Sequence, residues 1–196
     1  TLSYASDYDQ TVHAVRLRIV ALASAREEDV CGVVLIATPG RPLGEVLRGQ
    51  LKANPENEML LKQALQIIDA LENRRRVDIM NMHPALQQLF NPTVQGFLIN
   101  AFSYNLAHLI SNISRPVLVL QGQRDLQVEE TDVRLLKAAN PQSSLVILPS
   151  MDHVMKEVAS DDRKANIASY ADPALPLAPG LIDSIEHFLI HNSHFP

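Results

Sequence analysis

The sequence has 196 residues, of which 46% are hydrophobic, and it carries a formal net charge of −5. This length and composition suffice for a buried core, while the negative charge argues against nucleic acid and against an anionic membrane surface as partners. The single Cys31 excludes an intramolecular disulfide and a cysteine-based metal site, and no run of about eighteen apolar residues predicts a membrane span.

The first forty residues combine a helical pattern with a buried strand. A polar start precedes a predicted helix around Asp9–Ala25, whose apolar stripe consists of Val12, Val15, Ile19, Val20 and Leu22. Residues 30–40, VCGVVLIATPG, are typical of a buried strand closed by Thr38, Pro39 and Gly40. Cys31 lies in this segment, and we interpret it as a core thiol.

Residues 41–115 have an almost wholly helical pattern. Asn54 followed by Pro55 predicts a helix start, because asparagine caps helices and proline fits the first helical position. Asn91 followed by Pro92 repeats this signal. A helical insert of this length between two strands is too long for a plain crossover, and we therefore interpret it as a cap.

Two buried strands near the C-terminus place an acid and a histidine at one edge of a sheet. Val117–Gln121 has no polar alternation, as expected of a parallel strand covered on both faces, and Asp125 follows it. Glu129–Ala139 has helical spacing, and Leu145–Leu148 is a second such strand that ends shortly before His153. Parallel strands joined by a crossover helix bring both side chains to their carboxyl edge.

The remaining candidate site residues have simpler interpretations. Asp152 is a second candidate acid, although its side chain, one residue before His153, should diverge from the site. The cluster His187, His191 and His194 has helical spacing for its first pair, but it lacks an acidic or cysteine partner, so no metal site is predicted. Ser103 and Ser111 lie in the helical segment without a strand-to-helix turn around them.

The chain ends in a proline-rich loop and a helix from Gly180 to about His191.

The segment Pro116–His153 resembles the acid-to-histidine half of an α/β-hydrolase. The family carries nucleophile, acid and histidine in this order along the chain, which implies that Asp125 is the acid and His153 the base. The tail 166–179, NIASYADPALPLAP, is similar to the ends of many uncharacterised bacterial members. The resemblance implies an α/β fold whose partial body spans residues 1–40 and 116–196, with residues 41–115 as a helical cap.

A cap in this family covers the site and forms the apolar wall of the substrate pocket. The candidate lining residues are Met80, Met82, Phe97, Phe102 and Tyr104. The resemblance further implies that the cap helices pack over the carboxyl edge of the sheet.

The nucleophile expected from the resemblance is missing. No serine lies in a Gly-x-Ser-x-Gly segment, which the family needs because only small neighbours fit around the strained turn. Its position is therefore unknown. We expect either an unrecorded stretch with this segment before Asp29, most plausibly between Tyr4 and Ser24, or a second chain or copy that covers the open edge of the Val33–Thr38 strand.

The resemblance thus predicts an esterase-type serine hydrolase that acts on a small or medium acyl ester. The alternative is a non-catalytic, hydrolase-like fragment that binds a small apolar ligand. We expect a small-molecule substrate and neither a cofactor nor a metal, and a cytoplasmic location is the expectation for the compartment.

Overall fold

The computed structural model describes residues 30–160 and 162–192, and it contains one small parallel sheet. Its strands are β1 (Val33–Ile36), β2 (Val117–Gly122) and β3 (Ser144–Leu148), in the order β1-β2-β3. Val33 pairs with Val117, and Leu118 pairs with Ser144. The predicted α/β class, with three neighbouring parallel strands in this order, is confirmed.

The chain folds into two compact units. Among the described residues, the helical unit comprises 41–105, and the sheet unit comprises 30–40 with 106–160 and 162–192. The sequence placed residues 106–115 in the cap. The structure places them in the sheet unit, because Ile110 and Ile113 are buried in the same cluster as Val119.

The helical unit contains four helices around its own core. They are α1 (Leu43–Ala53), α2 (Glu58–Glu72, preceded by a 3₁₀ turn at Pro55–Asn57), α3 (Pro84–Leu89) and α4 (Pro92–Phe102). The predicted start signals are confirmed, since the side chain of Asn54 accepts from Glu56 N and that of Asn91 accepts from Thr93 N. The fully buried members of the core include Ala64, Ile67, Ile68, Leu71 and Phe90.

An ion-pair cluster joins α1 to α2. Arg48 Nη1 donates to Glu72 Oε1 at 2.7 Å, and Arg48 Nη2 also contacts Asp69. These carboxylates, Glu72 foremost, raise the pKa of Arg48. Arg48 thus remains a cation at any pH at which the protein is folded.

Four helices complete the sheet unit: α5 (Leu106–Ile110), α6 (Glu130–Ala139), α7 (Arg163–Ser169) and α8 (Leu181–Asn192). All six residues of β2 are buried, because both faces of the sheet are covered. One face packs Val117 and Val119 against Val133 and Leu136 of α6. The other packs Leu118 and Leu120 against a cluster that includes Leu181 and Phe188 of α8. The absence of polar alternation in the β2 sequence follows from this double burial.

Three sequence-based expectations need correction or fall outside the described part. Cys31 is exposed, because β1 begins only at Val33 and the cysteine precedes it. The predicted loop before the last helix contains α7. The predicted helix around Asp9–Ala25 lies outside the described residues.

Within the described ranges, no helix is long and apolar enough to cross a membrane.

Candidate active site

The loop after β2, residues 123–128, holds Asp125 and is called the acid loop here. The Asp125 side chain is fully buried. Its Oδ1 accepts hydrogen bonds from the backbone N–H groups of Gln127, at 2.8 Å, and Val128, at 2.9 Å. These two bonds offset the cost of removing a carboxylate from water, and they fix the orientation of its other oxygen.

The loop after β3, residues 149–157, holds His153 and is called the histidine loop. It folds back on itself as a short hairpin, in which Met151 bridges Glu157 in antiparallel fashion. Asp152 N donates to Lys156 O at 3.1 Å, and Met155 turns the chain with a positive φ of 66°. The hairpin presents His153 with its side chain 14% exposed.

The two loops meet so closely that a side chain at Gly122 is excluded. A Cβ built there would lie 1.9 Å from the carbonyl oxygen of Met151. Backbone bonds from Gln123 N to Leu148 O and from Arg124 N to Met151 O, both 3.0 Å, hold the acid loop against the end of β3. Glycine at position 122 is therefore a steric condition for the approach of the two loops.

Asp125 and His153, which the sequence singled out, are brought together by this approach. His153 Nδ1 lies 2.9 Å from Asp125 Oδ2, although the two residues are 28 positions apart. Because a carboxylate can only accept, the contact assigns the proton to Nδ1. Nε2 of the neutral ring is then the atom that can accept a proton from a third group, and Asp125 stabilises the imidazolium that results.

Asp152, the second candidate acid, has a structural role. It is fully buried, and its Oδ1 accepts from Lys156 N at 2.8 Å within the hairpin. Its Oδ2 accepts from the hydroxyl of Ser169 in α7. Asp152 therefore shapes the histidine loop, while Asp125 faces the imidazole.

Two residues near the pair were not found from the sequence. Asn166 Nδ2 donates to Arg124 O at 2.6 Å, and Ser169 contacts Asp152 as described. Both belong to α7, whose start is marked by Asp162, because its side chain accepts from the N–H groups of Lys164 and Ala165. An aspartate before a helix-forming run was the available signal.

The five predicted pocket residues all belong to the helical unit. Phe102 is 7% exposed and is a member of that unit's core, which Met82 and Phe97 flank as half-buried neighbours. Met80 is 73% exposed. Tyr104 is half-buried. The expected contribution of these residues to a substrate pocket stays a prediction.

No serine in the sequence has a glycine two residues before it and another two residues after it, as a nucleophile elbow requires. The one pair of glycines with this spacing, Gly40 and Gly44, flanks Pro42. The hydroxyls of Ser103 and Ser111 each donate to the backbone carbonyl three residues earlier. The segment that was expected to precede Asp29 lies outside the described residues.

Of the three C-terminal histidines, His187 and His191 lie in the described part of the chain. The rings of His187 and His191 contact each other at 3.9 Å between centroids, and His191 Nδ1 meets the carbonyl oxygen of His187 at 2.8 Å. No group of three or more potential ligands occurs among the described residues, which do not include His194.

No family model and no curated protein matches this chain. Among solved structures, an esterase of Pyrococcus furiosus is similar at 12% identity and a TM-score of 0.44, over 89% of this chain and 49% of the esterase. The enol-lactonase of Burkholderia xenovorans is 20% identical with a TM-score of 0.40, over 87% of this chain and 60% of the lactonase. A hydrolase of Pseudomonas aeruginosa is 17% identical with a TM-score of 0.39, over 97% and 70% of the two chains.

The chain thus spans about half the length of the esterase and 60% of the length of the lactonase. Similarities with TM-scores below 0.5 do not by themselves assign an activity. In this chain itself, the parallel strand order β1-β2-β3 and the contact of Asp125, after β2, with His153, after β3, agree with the resemblance of the sequence to the α/β-hydrolases.

Proposed function

We propose that this chain contributes the acid and the base of a serine hydrolase that acts on a small or medium acyl ester. The observation that carries the proposal is the 2.9 Å contact between Asp125 Oδ2 and His153 Nδ1, with Asp125 Oδ1 held by two backbone N–H groups. The attacking serine is not among the 196 residues in a recognisable elbow.

In the proposed reaction, His153 Nε2 takes the proton of the serine hydroxyl while Oγ forms a bond to the ester carbonyl carbon and the π electrons of the carbonyl group move onto its oxygen. The carbonyl double bond then forms again, the bond between carbon and the oxygen of the leaving alcohol breaks, and the imidazolium gives its proton to that leaving oxygen. A water molecule then attacks the acyl-serine through the same two steps, with His153 as the base, and the carboxylic acid product is released. Asp125 keeps its negative charge throughout and stabilises the imidazolium.

The burial of the pair suits this role. The Asp125 carboxylate is fully buried. Solvent therefore screens its attraction to the imidazolium less than it screens the attraction between two surface charges. His153 retains 14% exposure, which leaves part of the ring accessible for proton exchange.

The alternative function is that of a non-catalytic, hydrolase-like protein that binds a small apolar ligand. The observation in its favour is the absence of a Gly-x-Ser-x-Gly segment from the 196 residues. In this case the Asp125–His153 contact would only connect the two loops.

A fluorophosphonate probe separates the two functions on the full gene product that carries this chain. We expect covalent labelling of one serine, at a rate that falls by about 100-fold or more in His153→Ala. The matched control is His187→Ala, which removes an exposed histidine of α8 and should label like the wild type. Absence of labelling, or equal labelling of His153→Ala, would overturn the proposal and favour the binding function.

A further inference from the structure

Helix α7 contacts both loops of the proposed site through buried polar side chains. Asn166 Nδ2 donates to the carbonyl oxygen of Arg124, the residue before Asp125, at 2.6 Å. The Ser169 hydroxyl donates to Oδ2 of Asp152, the residue before His153. Asn166 and Ser169 are three positions apart, and so lie on one side of the helix.

Burial in α7 is the reverse of that in an ordinary amphipathic helix. Asn166 and Ser169 are 2% and 3% exposed, whereas the apolar Ile167 is 40% exposed. A seven-residue helix is not stable by itself, and the two buried residues of α7 are both polar. The polar contacts of Asn166 and Ser169 therefore connect the buried side of α7 to both loops.

Further bonds from each loop strengthen this connection. From the acid loop, Gln127 Nε2 donates to the hydroxyl of Tyr170 at 3.0 Å. From the histidine loop, Lys156 Nζ donates to the carbonyl oxygen of Ser169 at 3.0 Å and also contacts that of Asp172. The lysine thereby places a positive charge at the carboxyl end of α7, where it stabilises a helix.

We infer that Asn166 and Ser169 are positioning residues, which hold Asp125 at hydrogen-bond distance from His153 Nδ1 and so leave Nε2 free to accept the serine proton. The inference rests on the proposed function, because it assigns these residues to the same acid and base. Proton transfer is sensitive to misplacement by fractions of an ångström, so a second connection between the loops, besides the backbone bonds near β3, has a direct effect on rate.

The Ser169 hydroxyl has one proton for two nearby acceptors, Asp152 Oδ2 and the carbonyl oxygen of Asn166. A carboxylate is the stronger acceptor, so the bond to Asp152 dominates. Ser169→Ala removes this bond, whereas Ser169→Thr keeps a hydroxyl. Asn166→Asp keeps the side-chain size but replaces the donor to Arg124 O by an oxygen.

The test uses the full gene product and two readouts. In ¹⁵N-histidine NMR spectra, His153 of the wild type should show one tautomer, with the proton on Nδ1. Asn166→Asp and Ser169→Ala should show a mixture of tautomers, and their kcat for a p-nitrophenyl acyl ester should fall about 10-fold with KM within about twofold. Ser169→Thr, and Lys164→Ala on the exposed side of α7, should resemble the wild type.

Circular dichroism establishes that each variant is folded, and if Asn166→Asp is not, the comparison of Ser169→Ala with Ser169→Thr decides. Unchanged tautomer and unchanged kcat in Ser169→Ala would overturn the inference. A wild type that shows the Nδ1 tautomer but hydrolyses nothing would instead overturn the proposed function. The NMR readout would still show whether α7 positions the pair.

Discussion

At the scale of single residues, the two oxygens of Asp125 have separable roles. Oδ2 faces His153, whereas Oδ1 accepts two backbone N–H groups of the acid loop. In Asp125→Asn, the amide oxygen can keep the backbone bonds while the NH₂ group meets Nδ1 and stabilises the wrong tautomer. We expect hydrolysis to fall by roughly 10³–10⁴-fold, with only about 1 kcal/mol lost from the free energy of unfolding.

Asp125→Ala is the variant with which Asp125→Asn should be compared. It removes both roles, so we expect an additional loss of about 1–3 kcal/mol for each backbone donor left unsatisfied. Urea unfolding and steady-state hydrolysis measure the two effects. Equal stability of the two variants would contradict the division of roles between Oδ1 and Oδ2.

The contact between Gly122 and Met151 makes a second prediction at this scale. In Gly122→Ala, the new methyl group must displace the Met151 carbonyl, which moves the histidine loop away from Asp125. We expect the free energy of unfolding to fall by about 1–3 kcal/mol, and hydrolysis to fall with it.

Gly49→Ala is the matched control for thermal or urea unfolding. Gly49 lies in α1, and a Cβ there meets nothing within 4 Å. Alanine is the better helix former, so this substitution should raise stability by about 0.5–1 kcal/mol. A Gly122→Ala variant as stable as the wild type would show that the loops tolerate a wider separation.

At the scale of elements, the residues that the sequence predicted to line a pocket differ in burial within the helical unit. Phe102 in α4 is buried in the unit's core, and Met80, before α3, is exposed. Phe102→Ala should therefore lower the free energy of unfolding by about 3–5 kcal/mol, whereas Met80→Ala should change it by less than about 0.5 kcal/mol. Urea unfolding of both variants provides the measurement. If Phe102→Ala leaves stability intact but weakens hydrolysis, Phe102 lines the pocket instead.

Helix α7 shows why an element can escape detection in a sequence. Apolar periodicity reveals a helix only when an apolar face is buried, and the buried residues of α7 are Asn166 and Ser169, whereas Ile167 is 40% exposed. The helices with conventional patterns, such as α6 and α8, were predicted to within one or two residues of their ends. The prediction failed where the buried side of a helix is polar.

At the scale of the whole molecule, β1 is an edge strand of the sheet in the described part of the chain. Among the described residues, β1 pairs only with β2. Val33 N donates to Pro116 O and Ala37 N to Leu120 O, so the alternating N–H groups of Val34 and Ile36 point away from β2. If a further segment or a second chain covers this edge, it should accept hydrogen bonds from the N–H groups of Val34 and Ile36.

Amide hydrogen exchange of the full gene product tests this expectation. If a strand pairs with the outer edge, Val34 and Ile36 should exchange as slowly as Leu35 between them. An uncovered edge predicts much faster exchange at Val34 and Ile36 than at Leu35. Fast exchange in a protein that is monomeric by light scattering would refute the expectation and favour the non-catalytic function.

The sequence by itself determined the sheet and the positions of the acid and the histidine. Buried parallel strands appear as apolar runs without alternation, and their carboxyl ends share an edge, so Asp125 and His153 could be placed together. Only the tertiary structure decided that Asp125 rather than Asp152 faces the imidazole, and that Asn166 contacts Arg124 from 42 residues away. Apolar periodicity is a local signal, because apolar residues recur at a regular spacing within one segment. A hydrogen bond between polar groups that are distant in the sequence leaves no such regular spacing.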